Sequence, residues 1–315
     1  MIHRLQFRAM GTDMLVCVDN GSDVPPSILA DVPTWFADWE QTLSRFKPDS
    51  ELARLNRADR PVEVSPLLWD VFHHALRASA LTDGLVTPTV AEAVIEAGYD
   101  RDFALVQAGV QSLQALHRSL ETSESVSRIV PALASITRDE STRTIQLPPG
   151  LKLDFGGIAK GWAAQKVVER LQAHGSALMN CGGDIAISGA LLTGEPWEIG
   201  VYKPFDRESE YVEMLYFREA CGLASSATDR RRWTQAGQVR HHIIDPRTGL
   251  PAHTDVVHAT VVAPTAVEAE AAAKSVLIRG SEDGLDWLEA HPELAGLIIL
   301  ENGEMLYSQR IVEYL

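Results

Sequence analysis

Apolar positions along the chain change period several times, and each change marks an element. Between residues 4 and 19 the β-rich run Met14-Leu-Val-Cys-Val18 predicts two short strands around Ala9-Met10-Gly11-Thr12, with Gly11 as the bend. Ile28, Val32, Trp35, Phe36, Trp39 and Leu43 then recur at three- and four-residue spacing, which predicts a helix with Pro33 in its first turn or at a kink. Ser65-Pro66 reads as cap and first residue of a second helix through Leu68, Phe72, Ala75, Leu76 and Ser79, ending before Thr82-Asp83-Gly84.

The pattern weakens from about 100 to 150 and resumes as a strand at Thr144-Ile-Gln-Leu147. Leu151 to Phe155 is expected to be a strand running into Gly156-Gly157, and Ile158 to His174 a helix closed by Gly175. Strand, glycine turn and helix start form an anion-binding arrangement, because the first N–H groups of a helix lack intrahelical partners. Ser176 to Gly189 reads as strand, turn and strand around Gly182-Gly183-Asp184. Further strands are expected at Trp197–Lys203, Tyr211–Phe217, Val256–Ala263, Gly296–Leu300 and Glu304–Tyr307, with a helix opened by Pro264-Thr265 and running to Gly280, then a short one. Strands mixed with helices predict an α+β fold with mixed, largely antiparallel sheets and packed helices. The expected organisation is one domain over 1–315, with the less patterned 100–150 segment as the place where two subdomains would meet.

Charge narrows the partners. Lys and Arg number 28 against 43 Asp and Glu, a formal charge of −15, which argues against nucleic acid and anionic lipid surfaces. Cys17, Cys181 and Cys221 lie far apart, with no C-x-x-C pair, so neither a disulfide framework nor a zinc site is indicated. Met1 to Met10 has no apolar core of signal-peptide length and no apolar run reaches about eighteen residues, so a cytoplasmic protein without a membrane segment is expected.

Several familiar signatures fail. Ser44-Arg-Phe-Lys47 has Ser-x-x-Lys spacing without the partner motifs of penicillin-binding enzymes, and there is no G-x-S-x-G, P-loop or G-x-G-x-x-G. His253 and His258 have zinc-like spacing but no cysteine pair upstream, and read as ordinary loop and strand histidines.

Five small, polar motifs that no core needs do stand out. In order they are Phe7-Arg-Ala-Met-Gly-Thr12, the run Leu43 to Asn56, Leu153-Asp-Phe-Gly-Gly-Ile-Ala-Lys-Gly161, Asn180-Cys-Gly-Gly-Asp184 and His242-Ile-Ile-Asp-Pro-Arg-Thr-Gly249. Together, from about residue 7 to 300, they resemble the FAD:protein FMN transferase family, the ApbE-type flavin transferases. The resemblance implies a T-fold-like α+β architecture, FAD as donor, Mg²⁺ as helper, and transfer of FMN to a Ser or Thr hydroxyl of an acceptor flavoprotein with release of AMP. Many members of that family are exported.

Carried over residue by residue, the resemblance puts Met10, Phe46, Asp154, Lys160 and Ile244 at the cofactor. It puts the Gly157 carbonyl at the metal and His242 as base for the acceptor hydroxyl, a role that suits a side chain titrating near neutrality. The alternatives are core packing for Met10 and Phe46, helix capping for Asp154, and a solvated strand end for His242. Gly84-Leu-Val-Thr-Pro-Thr89 stands where the family has Gly-Ala-Phe-Asp-Pro-Thr, so Leu85, Val86 and Thr87 fall at cofactor positions, with Thr87 replacing an aspartate. Arg230-Arg-Arg232 reads either as a phosphate contact or as a solvated loop.

The sharpest departure lies at the metal. Where the family carries Ala-Asp-Ala-x-x-Thr, this chain has Ala269-Glu-Ala-Ala-Ala-Lys274, so Glu270 keeps the carboxylate of an expected metal ligand while Lys274 takes the threonine place. A hard cation wants oxygen ligands and an ammonium is not one. At about 100° per residue Glu270 and Lys274 share the arc of Ala266, Val267, Ala271, Leu277 and Ile278, opposite Glu268, Ser275 and Arg279, so the pair is expected to face inward. Lys274 is then expected to stand in the position of the metal, giving fixed positive charge to the FAD pyrophosphate. The leading functional reading is flavin transfer. The others are an FAD-binding carrier, sensor or scaffold, and an FAD pyrophosphatase releasing FMN and AMP.

Overall fold

The structure, a computed structural model, describes residues 1–107, 130–205, 210–235 and 238–315. Its spine is an eight-stranded sheet in which every neighbouring pair is antiparallel: β1 (Ile2–Ala9), β2 (Thr12–Asp19), β3 (Ser176–Cys181), β4 (Asp184–Ile187), β5 (Cys221–Ala227), β6 (Val256–Ala263), β7 (Ala295–Leu300) and β8 (Met305–Tyr307) lie side by side in chain order. The expected α+β class with a largely antiparallel sheet is therefore the observed one.

Met10 and Gly11 close the β1–β2 hairpin with φ of 47° and 69°. Both central residues of this two-residue turn are left-handed, the geometry that matches strand twist. β6 is buried along its whole length because both faces are covered. Its register shifts between Val256 and His258, which lets Val256 share the helix-facing side with Ala259, Val261 and Ala263 while Val257 and Val262 face away.

One face of the sheet carries the helices α1 (Val32–Leu43), α2 (Pro66–Leu81), α3 (Ala159–Leu171), α4 (Ala266–Arg279) and α5 (Ser281–Glu289). The other carries the hairpin of strands Trp197–Tyr202 and Tyr211–Phe217 and the terminal 3-10 turn Gln309–Tyr314. The capping signals act as the sequence predicts: Ser65 accepts the Leu68 N–H at 3.2 Å, and Thr265 the Glu268 N–H at 3.3 Å.

Helix α4 is the hub. Ala269, Ala271, Ala272 and Ala273 are wholly buried, and the small side chains let backbones come close. A Cβ on Gly161 of α3 would stand 2.4 Å from the Ala266 carbonyl oxygen, and one on Gly222 of β5 would stand 2.2 Å from the Ala266 nitrogen. Only glycine fits at either contact.

Three local expectations are corrected. Leu151–Phe155 is no strand: the Asn56 side chain takes the place of a ladder partner, accepting the Leu153 N–H at 2.8 Å and donating to the Leu153 carbonyl at 2.9 Å, and the Asp154 N–H goes to Pro88 O. Ser275, expected on the outer side of α4, is fully buried, because α2, α3 and α5 surround the helix as well as the sheet. The first helix is shorter than its apolar pattern, since Ser27–Asp31 forms a 3-10 turn before α1 begins with Pro33 in its first turn. Part of the expected 100–150 boundary, residues 108–129, lies outside the described residues.

Candidate functional site

On the helix-bearing side, loops and two helices from seven places in the sequence surround a cavity of ≈ 310 Å³, a size found among small-molecule sites. The β1–β2 turn contributes Met10, and the stretch after α1 contributes Arg45 and Phe46. The stretch after α2 adds Leu85, Val86 and Thr87, and the Asn56-stapled segment adds Asp154 and Gly157. Lys160 comes from the start of α3, His242 and Ile244 from the segment before β6, and Lys274 from α4. Every residue that the resemblance puts at the cofactor or as base thus lines this one cavity, as do Gly157 and Lys274, whereas Glu270 lies behind its wall and is fully buried.

One side is aromatic. The Phe46 and Tyr99 rings lie 5.6 Å apart and Tyr99 lies 5.8 Å from Trp233, whose Nε1 donates to Ala97 O at 2.8 Å. The Arg45 guanidinium sits 4.1 Å from the Phe46 centroid and 5.0 Å from that of Tyr99, donates to Tyr99 O at 2.6 Å, and pairs with Asp154 at 2.7 Å. Asp154 spends its other oxygen on the Gly156 N–H at 2.7 Å. It does not cap α3, whose cap position is Ile158. Phe46, 39% exposed, is not a core residue but a half-open face at the cavity.

Another part of the lining is ionic. Glu270 Oε1 accepts from Lys160 Nζ and from Lys274 Nζ, each at 3.0 Å, while Glu270 Oε2 accepts the Gly161 N–H at 2.8 Å. Lys160 also pairs with Asp184 of the Asn180–Asp184 motif. Burial lowers the Lys160 pKa to about 8 against the attraction of Glu270, with Lys274 and Arg231 adding to the lowering. The helix start expected to bind an external anion is therefore filled from within, by the carboxylate of Glu270 on the Gly161 N–H.

His242 is half-buried, and its Nδ1, shut off from solvent, has no partner among the described residues. Desolvation, then the positive charges of Arg231, Lys274, His241 and Lys160, push its pKa well below the ordinary 6.5. The ring is neutral at pH 7, which is what a proton acceptor requires. Of the three neighbouring arginines only Arg231 reaches the cavity. Arg230 sits over the Tyr202 ring and Arg232 over the Phe205 ring, at 5.5 Å and 5.7 Å.

The residues do not fit a divalent metal. Both Glu270 oxygens are engaged, Lys274 offers only donors at the i+4 place, and no group of three His, Cys, Asp or Glu that could hold an ion exists among the described residues. Tyr99, Trp233 and Gly161 were not apparent as site residues from sequence. Nothing in their spacing sets them apart, although Gly161 ends a motif and Trp233 follows the arginine run. Arg45 lay inside the Leu43–Asn56 motif without a chemical signature of its own.

A helix-backed antiparallel sheet whose cavity joins an aromatic wall to a floor of ammonium and guanidinium groups defines an α+β protein suited to a ligand with a flat ring and an anionic part. More specifically, the chain belongs to the ApbE family, whose profile matches residues 10–298. A Treponema pallidum relative described as FAD:protein FMN transferase is 30% identical over 299 residues, covering 90% of this chain and 80% of its own length. The protein of that description from Salmonella typhimurium is 29% identical, covering 85% and 74%. Among solved structures, an ApbE protein from Thermotoga maritima superposes with TM-score 0.84 at 24% identity, over 100% of this chain and 99% of that one. The flavin transferase ApbE from Vibrio cholerae gives 0.79 at 25% identity, over 100% and 99%.

Proposed function

We propose that this protein is an FAD:protein FMN transferase. FAD lies in the cavity with its ring system against Phe46, Tyr99 and the apolar Leu85, Val86 and Ile244, and its pyrophosphate toward Lys274 and Arg231. The acceptor's Ser or Thr hydroxyl oxygen attacks the phosphorus of the FMN half. A bond forms there, the bond from that phosphorus to the bridging oxygen breaks, AMP leaves with that oxygen, and the hydroxyl proton passes to the His242 imidazole. Such a transfer depends on positioning and on charge neutralisation at the phosphate, both of which fixed cations at a buried floor supply. The observation that carries the reading is the convergence of His242, Lys274 and Arg231 on one cavity walled by Phe46 and Tyr99.

The test is to incubate the protein with FAD and a flavoprotein domain carrying an acceptor Thr, then read intact masses and free nucleotides. A mass gain of one FMN on the acceptor, with AMP released in equal amount, is expected. Bound FAD with no adduct and no AMP would point instead to a carrier. Free FMN and AMP formed without any acceptor would point to hydrolysis.

A further inference from the structure

We infer that this chain carries its own cation at the nucleotide site: the Lys274 ammonium, anchored by Glu270, holds the pyrophosphate, and FAD binding needs no divalent metal. The inference rests on the FAD reading above and deepens it.

An ammonium has three N–H donors. Lys274 directs two toward Glu270, at Oε1 (3.0 Å) and at the backbone carbonyl (3.4 Å), and its side chain is only 14% exposed at the cavity wall, so a donor remains for a ligand there. Glu270, by contrast, is already committed within the fold at both oxygens. Oε1 serves two ammonium groups and Oε2 is tied to the α3 backbone, so a divalent ion would have to expel a lysine from a fully buried carboxylate.

Position and charge agree. The Lys274 side chain runs past Gly157, where a Cβ would lie 3.8 Å from Lys274 Cε and 3.9 Å from Cδ, so the stem occupies the space beside the glycine expected to face the metal. Within the ionic floor Lys160, Lys274 and Arg231 bring three positive charges against the two negative ones of Asp184 and Glu270, while the rest of the lining, Arg45 and Lys47 against Glu40, Asp102 and Asp154, carries one negative charge, so the positive charge is concentrated at the floor. A plain i,i+4 surface pair would show both side chains to solvent; here the carboxylate is wholly buried and the ammonium nearly so.

The experiment measures FAD affinity by flavin fluorescence for the wild-type protein in excess Mg²⁺ and in EDTA, and repeats it for Lys274→Met, which keeps the stem and removes the charge. The wild-type Kd should agree between the two buffers to within about twofold, and Lys274→Met should weaken binding about tenfold or more in both, as expected for loss of a charge-assisted contact. Tenfold weaker wild-type binding in EDTA, or unchanged affinity in Lys274→Met, would overturn the inference while leaving the FAD site standing. Absence of FAD binding in either buffer would remove the FAD reading and this inference with it. Should Lys274→Met fail to fold, the wild-type comparison still decides whether a divalent metal is needed, and Lys274→Gln measured in both buffers decides the part of the ammonium.

Discussion

Glu270→Gln removes one charge from the buried floor and almost no volume. The carboxylate now balances Lys160 and Lys274 and accepts the Gly161 N–H. An amide can turn its oxygen toward the two ammonium groups or toward Gly161, and either choice sets an NH₂ group against a donor. Breaking one member of a buried ion network costs about 3–5 kcal/mol, a large share of the roughly 5–15 kcal/mol that holds a typical fold. At ~2.1 cal/mol/K of unfolding entropy per residue, 315 residues give roughly 0.7 kcal/mol/K, so Tm should fall by about 5–8 °C.

Urea titration and thermal melting followed by circular dichroism would measure the loss. Adding Lys274→Met to Glu270→Gln should recover part of it, since the uncompensated ammonium goes too, with a coupling of about 1–3 kcal/mol. Burial alone would raise the Glu270 pKa, but Lys160, Lys274 and the Gly161 N–H outweigh it and hold the folded value below the ordinary 4.5. The stabilisation is therefore complete above pH 4.5 and is lost as pH falls below it, so Glu270→Gln should also flatten the acid limb of the stability curve. A loss under about 1 kcal/mol with an unchanged acid limb would refute the network as drawn.

Gly161→Ala should destabilise by at least ~1–3 kcal/mol in the same denaturation assay, because its methyl meets the Ala266 carbonyl at 2.4 Å and Glu270 Oε2 at 3.1 Å. His242, whose folded pKa lies below 6.5, binds fewer protons than the unfolded chain between that folded value and 6.5, so stability should rise with pH across this window. His242→Gln should reduce that slope, to which His74, His241 and His258 also contribute, and abolish FMN transfer while leaving FAD affinity nearly unchanged, read by melting curves, mass spectrometry and flavin fluorescence. Arg45→Lys keeps a charge near Asp154 but loses the planar stack on Phe46 and Tyr99. It should weaken FAD binding by about 0.5–1 kcal/mol, two- to fivefold in Kd.

Elements with a strong local signal were legible in the chain itself. The two helix starts at Ser65 and Thr265, the β-rich run Val256–Ala263 and the bend at Gly11 rest on side chains within a few residues of one another, and each appears where the pattern puts it. Leu151–Phe155 failed because its partner, Asn56, is 97 residues away from Leu153 and satisfies by side chain what a neighbouring strand would have satisfied by backbone. Ser275 failed because a projection sees one helix, whereas burial is decided by everything that surrounds it.

The same division runs through the site. The sequence by itself determined which residue types were available, from the five ordered motifs to the replacement of an oxygen ligand by Lys274. The tertiary structure decided what they do to one another. It brought Asp184, Lys160 and Glu270 into one cluster across 110 residues, turned a helix start read as an anion site into the anchor of Glu270, and selected Arg231 from a run of three arginines. Charge and hydrogen-bond capacity belong to single residues and can be read in order along the chain. Whether that capacity is spent inside the fold or left open to a ligand depends on distances between distant residues, which only the folded chain sets.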